Sequence, residues 1–244
     1  MSDVVLKGEL HSSSGDLENE KELLKQGFDT LVLEGDESES EYGWTDGWFQ
    51  ISVFAMFWIL GRVYMSKEVL RDLAEIQGTE IVFTRESDSE ILENTPWFIK
   101  IISGLTFYIL VPGSVAVGLV FPKMWGATVL LMGIALPVLL IRMYNTQQSS
   151  GEKNRDRIMT EKVVEAAENG SVLAVVGLDH IDGMLENLSD DLDVKVAEPV
   201  YSKWSRQHIR EVAFPFFEAI LILYSLFLLV SWLILKVAVL ASSF

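Results

Sequence analysis

Three histidines stand in the 244-residue chain, and two of them occupy matching settings. Val4-Val5-Leu6-Lys7-Gly8-Glu9-Leu10-His11 reads as a strand followed by Gly-x-x-His. Val172-Leu173-Ala174-Val175-Val176-Gly177-Leu178-Asp179-His180 repeats that pattern. A glycine at a strand exit permits the sharp turn that lifts the third following side chain over the sheet edge. Gly8 and Gly177 are therefore expected to support His11 and His180, and two imidazoles at equivalent exits can converge. Leu31-Val32-Leu33-Glu34 brings a carboxylate to a third strand exit. Two His and one Glu form a familiar ligand set for a catalytic divalent ion, with positions left open for water. The bland alternative, two unrelated structural histidines, does not account for the duplicated setting.

Further charged residues flank this trio. Asn154-Arg155-Asp156-Arg157 opens the helix before the second His strand, which makes Arg155 a candidate clamp or charge stabiliser. The competing reading is a first helical turn with surface ion pairs, which are worth little. Asp156 beside it, and Asp179 beside His180, are candidate supports for the site, Asp179 by orienting the imidazole. Asp16 is expected to cap its helix and His208 to lie near an interface. Cys is absent, so thiol nucleophiles, Cys-zinc sites and disulfides are excluded.

The elements that must position these residues alternate. Val4–Leu6, Thr30–Leu33, Glu80–Phe83, Val172–Val176 and Val194–Val196 read as strands, and Asp16–Gln26, Lys67–Gln77 and Arg155–Glu168 as helices. Such alternation implies an α/β domain with a mostly parallel sheet, whose functional residues gather at the strands' C-terminal ends.

Two uncharged runs, Ile101–Pro122 and Met124–Ile141, interrupt that pattern, and a third, Ala219–Leu235, follows it. A bilayer core of ~30 Å needs roughly 20 apolar residues in a helix, so a transmembrane hairpin and a C-terminal transmembrane helix are expected. Trp97, Trp125, Tyr144 and Trp204 lie near run ends, as an aromatic belt does. The organisation is then 1–96 and 145–205 as two parts of one α/β domain, 97–144 as the hairpin and 206–244 as the final span. A shorter run, Gly47–Gly61, should be a helix packed in the domain or lying at the interface.

Half the residues are hydrophobic, yet 35 acids oppose 19 bases for a net charge of −16. A nucleic-acid partner is excluded, because phosphate binding needs clustered Lys and Arg. The acidity suits a protein solvated for a high-salt cytoplasm. No signal-peptide pattern opens the chain, so the first span is expected to serve as the insertion signal. Lys and Arg flank the domain side of the runs (Lys100, Arg142, Lys203, Arg206 and Arg210 among them) against Lys123 and Lys236 on the other. The positive-inside rule then places a multi-pass protein in the cell membrane with its domain in the cytoplasm.

The paired Gly-x-x-His motifs, the strand-exit Glu34 and the Arg155-Asp156 helix resemble the TraB/PrgY pheromone-shutdown family, over roughly residues 3–96 and 151–200. Glu80–Phe83 with Arg85, Glu86 and Asp88 is similar to the family's third-strand segment. Three positions depart from its pattern: Glu9-Leu10 stand where Thr-Ala is usual, Gly35 follows Glu34, and Asn154 replaces Glu. The resemblance implies a metal-dependent hydrolase, a peptidase above all, with His11, Glu34 and His180 on a divalent ion (Mn, Co or Zn) and Arg155 in the site. Its partners would be the lipid bilayer and a peptide substrate. The alternative of a different class is a membrane protein that sequesters a peptide signal without turnover. A transporter is disfavoured, because the three main runs contain no ionisable residue.

Overall fold

The computed structural model describes residues 3–34, 47–64, 67–84, 95–148, 152–189 and 192–242. Two compact units are interleaved along the chain. The first is the α/β unit. Its strands β1 (Val4–Glu9), β2 (Thr30–Leu33), β3 (Glu80–Phe83), β4 (Val172–Gly177) and β5 (Val194–Ala197) form one sheet in the order β3-β2-β4-β1-β5. Every pairing is parallel. The central strands carry the continuous Val, Leu and Ala runs of a sheet covered on both faces. Leu31, Leu33, Leu173 and Val175 bury one face against Leu24 of α1 (Ser14–Leu24) and against Leu70 and Ala74. The latter two lie on a polar helix, Glu68–Gln77. Val4, Leu6, Val32, Val172, Ala174 and Val176 bury the other face against Met159 and Val163 and against Ile181 and Met184. Those pairs belong to the helices Glu152–Ala167 and Ile181–Asn187.

In chain order the remaining helices are α2 (Gly47–Val63), α3 (Glu68–Gln77), α4 (Trp97–Val120), α5 (Lys123–Gln148), α6 (Glu152–Ala167), α7 (Ile181–Asn187) and α8 (Arg206–Ala241). Of these, α2, α4, α5 and α8 from Phe214 onward make up the second, apolar unit. Among the described residues, α4, α5 and α8 are each long and apolar enough to cross a membrane, and a fourth such segment arises only if α2 and α3 are joined as one. Small residues bring α4 and α5 together. A Cβ on Gly126 would lie 2.6 Å from the Ser114 carbonyl oxygen and 2.7 Å from Gly118 Cα. Trp97, Trp125 and Trp204 are exposed, as belt residues must be.

The Trp-rich run, expected to be a helix packed in the domain or lying at the interface, is α2 and belongs to the apolar unit. Phe49 and Val53 bury against Ile141, and Ile59 against Ile134 and Ala219. The reason is composition: a helix apolar on all sides has no polar face to turn to water. Its last turn carries an ionic contact, Arg62 Nη2 to Glu218 Oε2 of α8 at 2.9 Å. The Trp58 ring lies 5.3 Å from the same guanidinium.

Candidate functional site

The three central strands β2, β4 and β1 end side by side, and each delivers one residue of the sequence-derived trio. Glu34 follows β2 directly, His11 lies two residues beyond β1, and His180 ends the single 3-10 turn Leu178–His180 after β4. Glu34 stands between the imidazoles: His11 Nε2 is 3.7 Å from its Oε2 and His180 Nε2 is 3.8 Å from its Oε1. Its Oε2 also accepts the Gly177 backbone N–H at 2.8 Å. The carboxylate is nearly buried, whereas His11 is 42% exposed and opens the cluster to solvent.

Both glycines prove necessary for space rather than for backbone freedom, since neither has a positive φ. Gly177 is the last residue of β4, and a Cβ there would sit 3.2 Å from both Glu34 Oε2 and His11 Nε2 and 3.5 Å from His180 Cδ2. Any side chain would fill the cradle between the three groups. Gly8 is displaced from the expected strand exit. It pairs with Val176 inside the sheet, while Glu9 pairs with Gly177, so the two Gly-x-x-His motifs are offset by one residue. Its missing Cβ lets Ile181 and Leu178, at 3.1 and 3.3 Å, close over β1 and seat the turn that carries His180.

Each imidazole is held from behind by a carboxylate. Asp156 Oδ1 meets His180 Nδ1 at 2.7 Å, and Glu9 Oε1 meets His11 Nδ1 at 2.7 Å. Asp156, a supporting candidate from the sequence, is thus the orienting group of His180. Asp179 is not: its side chain is exposed and pairs with Lys203 at 3.2 Å. Arg155 is likewise exposed on α6, and among the described residues it joins none of these contacts. Neighbours on a helix point about 100° apart, so a helix that turns Asp156 inward turns Arg155 away. Gly35 and Asp36, with Arg85, Glu86 and Asp88, lie outside the described residues.

Glu9 was not singled out by sequence reasoning, although a signal was there, a lone acid closing a short strand two residues before His11. Its second oxygen, Oε2, contacts the Lys67 ammonium, which also reaches Glu20 Oε2 at 3.0 Å. Burial pushes the Glu9 carboxyl up, but the His11 hydrogen bond and the Lys67 charge outweigh it and leave its pKa well below 4.5. The same hydrogen bond raises the His11 pKa above 6.5 against the pull of burial. Glu20 behaves oppositely: burial raises it to about 8, more than Lys67 can lower it. One carboxyl of this pair is therefore charged at neutral pH and the other holds a proton.

The loop bearing His11 is pinned by a buried ion pair. Lys7 and Asp16 are both fully buried, 2.8 Å apart, and Lys7 gives its other protons to the Gly8 and Glu198 carbonyls at 2.8 and 2.9 Å. Asp16 accepts the Leu10 and Val200 N–H groups at 3.0 and 2.7 Å. Asp16 is thus a lock on the loop and not the helix cap, a role that falls to Ser13.

Among the described residues, no group of three or more His, Asp or Glu side chains is gathered closely enough to hold a metal ion as it stands. The chemistry of the donors nevertheless suits one. Two Nε2 atoms face one carboxylate, both Nδ1 atoms are engaged by carboxylates in the manner of metal-ligating histidines, and the Gly177 cradle leaves room between them. Three carboxylates, Glu9, Glu34 and Asp156, surround the imidazole pair, which also favours a cation. No family model matches the chain, no curated protein matches it, and no solved structure matches it.

Proposed function

We propose that the chain is a membrane-anchored, metal-dependent hydrolase of the TraB/PrgY kind, acting on peptides or related signal substrates. The observation that supports this most directly is the placing of Glu34 between His11 Nε2 and His180 Nε2, at 3.7 and 3.8 Å, with each Nδ1 engaged by a carboxylate. His11, Glu34 and His180 would hold the divalent ion. When bound, such an ion supplies Lewis acidity toward an acyl carbonyl and toward water. Glu9 and Asp156 keep the two rings turned so that Nε2 faces inward. Glu34, anchored by the Gly177 N–H through Oε2, would serve as ligand or as base. Arg155, exposed on α6, is a cation for a substrate carboxylate rather than part of the ion's shell.

A second reading has its own support. Among the described residues Arg155 stands outside the contact network, so a protein that binds a peptide through this site without turning it over fits the geometry as well. In either case we place the chain in the cell membrane as a multi-pass protein with the α/β unit in the cytoplasm, supported by the three long apolar helices and the Lys and Arg distribution.

The test is elemental analysis and calorimetry with Mn, Co and Zn on the purified chain, beside His11→Ala and His180→Ala. Stoichiometric metal in the parent and its loss in both variants is the expected result. Equal metal in all three proteins would remove the site. Metal with tight peptide binding and no cleavage would favour sequestration.

A further inference from the structure

Glu9 stands where the resembled pattern has a different residue, and it is the most deeply buried of the three carboxylates that touch the histidine pair. Both its oxygens are held, one by His11 Nδ1 and the other by the Lys67 ammonium. Lys67 occupies the N-cap position of α3, yet its side chain caps nothing there. It reaches back to Glu9 and Glu20 instead. A carboxylate held at one oxygen can turn about its broad terminal torsion, and one held at both cannot. The orientation of Glu9 Oε1 matters because the partner at one ring nitrogen decides which nitrogen of a histidine carries the proton. His180 is held by a different carboxylate, Asp156 on α6 rather than on β1, so it does not share this dependence.

We propose that Lys67 is a positioning residue for the site: by clamping the second oxygen of Glu9 it keeps the His11 proton on Nδ1 and leaves the Nε2 lone pair facing Glu34. The consequence for ion binding rests on the function proposed above. The tautomer itself is a property of the metal-free chain.

The experiment is nitrogen NMR of the metal-stripped full chain in detergent with labelled histidine, at about pH 9, where imidazole is neutral. Only three histidines need assignment. In the parent, His11 should be almost entirely the Nδ1–H form. In Lys67→Met the Nε2–H form of His11 should rise several-fold, His180 should be unchanged, and Lys67→Arg should restore the parent ratio. If Lys67→Met does not fold, Glu9→Gln must give the same selective change. An unchanged His11 ratio overturns the proposal, and so does a change shared equally by His180, because the effect then does not pass through Glu9. In parallel, divalent-ion affinity should fall roughly 10–100-fold in Lys67→Met. A parent that binds no ion, together with the selective His11 change, would sink the metal reading and leave the positioning role standing.

Discussion

At the scale of single residues, the site is a set of carboxylates kept in unlike states by their neighbours. Glu9 and Glu20 share one lysine, and Glu9 has the further donor, so it holds the charge. Glu20 is also hydrogen-bonded to Glu9, a contact that a protonated carboxyl can make with a carboxylate and a second carboxylate cannot. The pH dependence follows from the shift of Glu20 from 4.5 to about 8. Between those values the folded chain holds a proton that the unfolded chain has released, so the Glu20 contribution to stability falls as pH rises through that window. Glu20→Gln, neutral throughout, should therefore gain thermal stability relative to the parent on going from pH 5 to pH 9. Melting followed by circular dichroism at both pH values checks this, and parallel loss in the two proteins would refute it. Glu9 has the opposite sign: its lowered pKa contributes stability above 4.5 that is lost as pH falls below that value.

At the scale of elements, the apolar hairpin depends on close approach. A Cβ on Gly126 of α5 would meet backbone atoms of α4 at 2.6 and 2.7 Å, and backbone cannot rotate away as a side chain can. Gly126→Val should separate the helices and cost about 1–3 kcal/mol, as overpacking does. Gly113 on α4 meets nothing within 4 Å, so Gly113→Ala should be neutral or stabilising by up to about 1 kcal/mol. Thermal unfolding of both variants in one detergent makes the comparison, and equal effects would contradict this packing. The uncharged apolar runs of the sequence located α4 and α5, but not which glycines touch. Close approach is set by the register between two helices, and nothing within either helix encodes it. The same limit explains α2, whose apolarity was legible while its burial partners, Ile141, Ile134 and Ala219, lie far along the chain.

At the scale of the whole molecule, connectivity constrains topology. β2 precedes α2 and β3 follows it, yet the two strands pair in register from Thr30↔Glu80 to Leu33↔Phe83. β4 follows the α4–α5 hairpin and pairs with both β1 and β2. The chain must therefore return to the same sheet after α2 and again after the hairpin, so neither excursion can end across a membrane. Joining α2 to α3 as a single span conflicts with Leu70 and Ala74 of α3, which are buried on the sheet. The Cys-free chain permits single-cysteine labelling. An impermeant thiol reagent applied to intact cells should reach Ser242→Cys and miss Gln26→Cys, Gln77→Cys and Glu186→Cys, all at exposed positions. Labelling of Gln26→Cys without Gln77→Cys would mean that α2 does cross. Labelling of those three and not of Ser242→Cys would reverse the orientation.

The alternating strands, the three long apolar helices and the trio His11, Glu34 and His180 were legible in the chain alone, because each is written in a local pattern, an uncharged run or a strand exit. The α/β order also implied that the trio's three strands would end on one edge. The groups behind the trio came from packing instead. Asp156 rather than Asp179 orients His180, since helix phase and not sequence adjacency sets which side chain points inward. Glu9 entered through strand register and through Lys67, 58 residues away. Arg155 stayed outside for the same reason that Asp156 came in. A carboxylate finds its imidazole through packing across the sheet, a relation between distant segments that no single segment carries.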